Sequence, residues 1–201
     1  MKHLIFCCLL LFLFFSCFSQ KLEKEEIQLY QTNLSKEYKD SITSPLSKEN
    51  RAKFVEHQFY PIDLSYRVFA NLVLTPDEKP FKMASTKGED KEYIKYGELN
   101  FILQGNELKL NVYRSLALMK TEKYKNHLFL PFKDLTSGKE TYGGGRFIDL
   151  EVPSSKTIVL DFNKAYNPYC AYTDKYSCPI TPIENTLNLE IKAGIKGPES
   201  H

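Results

Sequence analysis

The sequence predicts a mainly β fold: an antiparallel sandwich or barrel-like sheet of about eight strands, preceded by a short N-terminal helical segment. Three observations carry that expectation. Beyond Phe59, apolar and polar residues alternate with a period of two over several short runs, as half-buried strands require. The chain holds 13 Tyr and 14 Phe but no Trp, a composition suited to cross-strand aromatic pairs. Turn formers separate the runs, and no helical pattern between them is long enough for a βαβ unit.

Composition bounds what surrounds this fold. A chain of 201 residues, 42% hydrophobic and 26% charged, is one domain with a packed core rather than a disordered segment. Its 27 basic and 25 acidic residues leave a formal charge of +2, or +1 once Lys2 is removed with the leader. So even a balance provides no field for gathering phosphates, which argues against a nucleic-acid partner.

The first element, residues 1–19, reads as an export signal. Met1-Lys2-His3 precedes the apolar run Leu4 to Phe15, and small residues follow at Ser16-Cys17-Phe18-Ser19. The run is shorter than the ~20 residues a membrane-spanning helix needs. Phe14-Phe15-Ser16-Cys17 resembles a bacterial lipobox, which would place a lipid anchor on Cys17; the Phe at its first position departs from the usual Leu. The alternative is ordinary cleavage before Gln20, with Cys17 and Ser19 as the small residues. On either route the protein is expected in the cell envelope, lipid-anchored or soluble in the periplasm, meeting a membrane only through that anchor.

Residues 20–55 form the helical segment. Leu22, Ile27, Leu29, Tyr30, Leu34 and Tyr38 recur at helical spacing, with Glu23, Glu25 and Glu26 placed to suit a helix N-terminus. Ser44-Pro45 ends it, and Ser47 caps a short second helix towards Val55.

Residues 56–194 form the β domain. Tyr66 to Leu74 alternates with both faces partly covered. A short run starts at Phe81. Leu99 to Gln104 and Leu108 to Tyr113 flank Gly105-Asn106, which predicts a tight hairpin. Further strands are expected over 127–132, 146–152, 156–162 and 185–192, the last facing the core with Leu187, Leu189 and Ile191. Residues 195–201 read as a tail.

Several chemistries are missing from the sequence: no nucleophile elbow, His-Glu-x-x-His, Walker loop or dinucleotide fingerprint is present. His57 and His127 read as surface or core histidines, and nothing has the spacing of a metal or cofactor site. What remains is a polar stretch, 130–185, dense in glycine, proline and short polar side chains. Arg146 stands out, because a guanidinium among strand residues needs a carboxylate or an anionic ligand. Asp134, Asp149 and Asp161 are the available partners, in a buried ion pair or at a ligand site. Asp134, Thr136, Thr141 and Tyr142 accompany it. Asp161, Asn163 and Asn167 either build their own turns or present polar groups to a ligand, and Glu184 with Asn185 closes the stretch. Cys170 and Cys178 read as a disulfide on the export argument, or as a thiol pair.

With these residues in place, the chain resembles a bacterial family known as domain of unknown function 1684. The resemblance rests on Tyr60-Pro61-Ile62-Asp63, Tyr66-Arg67-Val68, Tyr96-Gly97-Glu98-Leu99-Asn100-Phe101 and Pro131-Phe132-Lys133-Asp134-Leu135-Thr136-Ser137-Gly138. Thr141-Tyr142-Gly143-Gly144-Gly145-Arg146, Leu160-Asp161-Phe162-Asn163 through Pro168, and Cys178-Pro179 through Asn185 complete it. It spans Arg51 to Gly194 and implies one shared architecture without an activity. It also implies that members without leaders keep both cysteines, which favours a reduced or reactive pair.

Two functions follow as expectations. One is a binding module that holds a small polar or anionic ligand on the 134–185 surface through Asp134, Thr136, Thr141, Tyr142, Arg146, Asp161, Asn163, Asn167, Glu184 and Asn185. The other is a hydrolase using a carboxylate, Asp161 or Glu184, or the Cys170 thiol, with Asn163 or Asn167 as oxyanion donors. An envelope protein in which these residues only lock the fold is the third, ligand-free reading.

Overall fold

Seven antiparallel strands curl into a half-barrel with helix α1 near its open edge. The structure, a computed structural model, describes the backbone of residues 2–198 and side chains from residue 19 onward. The Cys17 anchor, nearly all of the leader and the end of the tail therefore lie outside the described side chains.

Helix α1 (Lys2–Lys39) is continuous through the expected leader boundary. Glu23, Glu25 and Glu26 are thus not its first turn. Ile27, Gln31 and Tyr38 form its buried stripe, while Leu22 and Leu29 are exposed. Helix α2 (Lys48–Lys53) starts as expected, with Ser47 Oγ accepting from the Asn50 amide at 3.1 Å.

The strands are β1 (Arg67–Leu74), β2 (Phe81–Met83), β3 (Lys91–Leu103), β4 (Asn106–Ser115), β5 (His127–Phe132), β6 (Arg146–Glu151) and β7 (Thr157–Asp161). Their order across the sheet is β6-β5-β4-β3-β1-β7, with β2 on the first half of β3. A register shift between Lys95 and Gly97 bends β3. Its first half then pairs with β2 and its second with β1. The hairpin turn is Gln104-Gly105, one residue before the expected Gly-Asn, because Leu103 pairs directly with Asn106. Both turn residues have positive φ, 51° and 77°, matching the twist of a two-residue hairpin.

Alternation sends Leu99, Phe101, Leu103, Leu110, Val112, Leu128, Leu130, Phe132, Ile148 and Leu160 into the concave core. A smaller cluster of Met83, Tyr93, Tyr113, Phe129 and Phe147 covers part of the opposite face. Strand β1 departs from expectation, since its outer face is open and Phe69 is 77% exposed.

Two expectations about the C-terminal region are corrected. Residues 185–192 are not a strand, although Leu187 and Ile191 are buried. Their backbone is satisfied one group at a time, by Lys133, by Asp134 and by the Arg146 side chain. Nor does the chain fray at Gly194: Ile195 is buried against Phe59, and the Gly197 amide donates to the Glu140 carbonyl.

Candidate functional site

The polar residues singled out by the sequence do not meet at one wet concavity. They form four separate knots, each tying chain segments that the sheet leaves without partners.

Arg146, at the start of β6, is 0% exposed. Its Nη2 donates to Asp134 Oδ2 at 2.6 Å and to the Ile191 carbonyl at 2.9 Å. Its Nη1 donates to the carbonyls of Ala193 and Ile195. Asp134 also accepts from the backbone and hydroxyl of Thr136, whose hydroxyl meets that of Thr141 at 2.9 Å. The two terminal nitrogens of the guanidinium are thus spent on one carboxylate and three carbonyls, while its buried Nε has no partner.

Asn185 is the second knot. Its Nδ2 donates to the carbonyls of Asn111 and Pro131, and its Oδ1 accepts from the Asn111 amide. β4 and β5 are paired only at Tyr113 and Phe129, so the side chain substitutes for the ladder where the two strands part. Glu184, its neighbour, is exposed and apart from the others.

At the third knot, Asn163 Nδ2 donates to the Asp63 carbonyl and to Asp161 Oδ1, while its Oδ1 accepts from the Asp63 amide. Gln31 of α1 donates to the Asn163 carbonyl, which fixes the helix to this corner.

At the fourth, Asn167 Nδ2 donates to the Lys196 carbonyl and to the Tyr172 hydroxyl. The hydroxyl also lies within hydrogen-bond distance of His57 Nδ1, at 3.2 Å. His57 is packed by Tyr38, Phe54 and Tyr172, and burial pushes its pKa down to about 4. It is a neutral core histidine.

This geometry bears on the hydrolase reading. The amides of Asn163 and Asn167 are engaged by backbone, aspartate and tyrosine, so neither is free to donate to an oxyanion. Among the described residues no three His, Cys, Asp or Glu side chains are grouped to hold a metal ion.

A different site opens at the seam of the half-barrel, where the edge strands β6 and β7 face each other. A cavity of about 190 Å³ is lined by Ile148, Asp149 and Leu150 of β6, Val159 and Asp161 of β7, with Glu26, Arg67 and Lys164. Arg67 Nη1 donates to Asp161 at 2.8 Å, and its Nη2 lies 3.5 Å from Glu26. Lys164 reaches Glu26 at 2.5 Å; that hydrogen bond, aided by the Arg67 charge, holds the Glu26 carboxyl below its usual range.

Asp149 is the fifth ionisable group of the seam, and it stands outside this cation network. His127 Nε2 lies 2.8 Å from its Oδ1, and the Tyr166 hydroxyl donates to both oxygens at 3.0 Å. Burial, with the Asp149 charge beside it, raises the Tyr166 phenol well above its ordinary pKa, so it remains a donor. The Asp149 side chain is still 51% exposed. A second concavity, of about 330 Å³ on the β3–β4 hairpin, carries only Glu107 and Lys109 as ionisable lining groups.

Sequence reasoning named Asp149 only as an ion-pair partner for Arg146 and missed Glu26, Arg67 and Lys164 as a group. Asp161 is the one member of the expected site that lines the seam. The signal in the sequence was weak: five charges on five separate elements, meeting only because the sheet curls.

Comparison with known proteins agrees with the fold. A family model described as "Protein of unknown function (DUF1684)" matches residues 52–196. The chain is also similar to an uncharacterised protein of Haloarcula marismortui solved by NMR in solution. The two share 28% identity at a TM-score of 0.69, over 91% of this chain and 98% of that one. Among curated proteins none matches.

Proposed function

We propose, from the premise that this chain belongs to the DUF1684 family of proteins of unknown function, that it is an exported binding module taking a small polar ligand at the β6–β7 seam. The observation that carries the ligand reading is Asp149, a carboxylate oriented by His127 and Tyr166 yet half exposed at a cavity mouth. A carboxylate held by two donors keeps lone pairs free for a third.

The charge of the seam selects the ligand. Its lining holds three carboxylates and two cations, and both cations are already paired with Glu26 or Asp161. A net negative, cation-saturated lining repels anions and suits a neutral or ammonium-bearing ligand with N–H or O–H donors. The cavity, about 190 Å³, limits that ligand to roughly ten heavy atoms.

Thermal shift of the purified chain against small amines, amino alcohols, polyols, carboxylates and phosphate tests this. Donor-rich compounds should raise Tm, and Asp149→Asn should abolish the shift. Equal shifts in the variant, or hits confined to anions, would remove the seam from the proposal. A complete absence of hits would favour the ligand-free envelope reading.

Export is supported by the charged start, apolar run and small residues of 1–19. Intact mass of the chain purified from a bacterial host separates the routes: lipid on Cys17, an N-terminus at Gln20, or Met1 retained. The last outcome would overturn export.

A further inference from the structure

Outside the seam, the described residues hold a pair of cysteine thiols that the proposed function does not use. Cys170 and Cys178 are both free thiols, the first half-buried and the second buried. The Cys170 backbone N–H donates to Cys178 Sγ at 3.2 Å. That contact brings the second sulfur against the first residue's own backbone, within reach of its side chain.

The two thiols are mounted differently. Cys178 is pinned to the end of the β2 segment: its amide donates to Thr86 Oγ1 at 3.1 Å, and its carbonyl accepts from the Thr86 amide at 3.0 Å. The bridge between Ser85 and Pro179 holds the same strand edge. Cys170 lies in a single 3-10 turn, Tyr169–Ala171, after Pro168, and its sulfur is 3.9 Å from the Tyr142 hydroxyl. One sulfur is accessible and the other sits behind it on a fixed platform.

We propose that Cys170 and Cys178 form a thiol–disulfide exchange site for small-molecule disulfides, with Cys170 attacking and Cys178 resolving. The Cys170 thiolate attacks one sulfur of RS–SR, forming Cys170–S–SR and releasing RS⁻. Cys178, losing its proton to solvent, attacks the Cys170 sulfur and expels the second RS⁻. The protein dithiol is oxidised by two electrons to a disulfide, the small disulfide is reduced to two thiols, and two protons end on those thiols. Hydrogen bonding from Cys178, with further donors at Tyr142 and the backbone, holds the Cys170 thiol below its ordinary pKa. Its partner moves the opposite way, chiefly because Cys178 keeps the shared proton.

The test uses the full chain, reduced with dithiothreitol, freed of reductant, exposed to oxidised glutathione and quenched in acid for peptide mass mapping. The wild type should close a bridge between residues 170 and 178 that dithiothreitol reopens in the folded chain. Cys178→Ser should accumulate glutathione on residue 170, whereas Cys170→Ser should leave residue 178 unmodified over the same time. Thiols that stay reduced, a bridge that resists dithiothreitol, or equally fast glutathionylation of Cys178 in Cys170→Ser would each overturn the proposal. If either variant fails to fold, alkylation of the reduced wild type against pH replaces it. Cys170 should then react first, with a midpoint below the ~8.5 of a free thiol; equal rates at the two residues, or an ordinary midpoint, would overturn exchange.

Discussion

Arg146 and Asp134 meet at 2.6 Å with neither side chain reaching solvent. The pair replaces a strand ladder, since the guanidinium takes the carbonyls of Ile191, Ala193 and Ile195 while the carboxylate takes the Ile191 amide. Removing one partner leaves a buried charge alone, which costs about 3–5 kcal/mol. Arg146→Ala and Asp134→Ala should each lower stability by that order in urea unfolding. The double replacement Arg146→Met with Asp134→Leu should lose less than the two singles summed, because no lone charge remains. It should still fall below the wild type, because the carbonyls of the 191–195 segment lose their donor. A double variant as unstable as the sum would mean the two residues act independently.

Asn185 supports a second prediction of the same kind. It satisfies both backbone groups of Asn111 and the carbonyl of Pro131 from one amide. Asn185→Ala should cost at least about 2 kcal/mol, given ~1–3 kcal/mol for each buried group left unpaired. Asn185→Asp should be worse, because it removes two donors and faces a carboxylate towards two carbonyls. Hydrogen exchange should show the Asn111 amide losing protection in Asn185→Ala, which removes its acceptor, and losing less in Asn185→Asp, which keeps one.

These knots explain how far the sequence could be read. The alternation of Leu99, Phe101 and Leu103 against Leu108, Leu110 and Val112 made the hairpin and core legible, because strand period is a local property. The polar residues were legible as a group, since turn formers cluster along the chain. Their role was not, because whether Arg146 meets an anion or Asp134 depends on where residues 134 and 191–195 come to rest. The strand expected at 185–192 failed for the same reason. Its side chains alternate correctly, but its backbone partners are the Lys133 and Leu135 backbone and the Asp134 and Arg146 side chains rather than another strand. The seam was invisible, because Glu26, Arg67, Asp149 and Lys164 share no local pattern.

His57 makes acid stability a testable consequence of its burial. Its folded pKa is about 4 against 6.5 for the free group, so the unfolded chain binds the proton more readily. Stability from this group is complete above pH 6.5 and falls as pH drops towards 4, by roughly 3 kcal/mol over the window. His57→Phe, which keeps a ring among Tyr38, Phe54 and Tyr172, should flatten the 4–6.5 segment of the stability curve. An unchanged slope in that variant would assign the pH dependence to other groups.

Gly145 and Gly105 both hold positive φ, 96° and 77°, yet they should respond differently to alanine. At Gly105 an added Cβ meets nothing within 4 Å, so the cost is the left-handed backbone alone, about 1–2 kcal/mol. At Gly145 the Cβ would lie 2.6 Å from the Phe132 carbonyl oxygen and 2.7 Å from Thr181 Oγ1. Thr181 can move, but the Phe132 carbonyl belongs to β5, at the pair it makes with Arg146. Relief therefore requires shifting the residue that carries the buried guanidinium, and strain in a packed site adds about 1–3 kcal/mol. Gly145→Ala should be clearly less stable than Gly105→Ala in chemical unfolding. In combination with Arg146→Ala the two losses should fail to add, since both act on the same junction. Additive losses would mean the close approach at Gly145 and the Arg146 knot are mechanically separate.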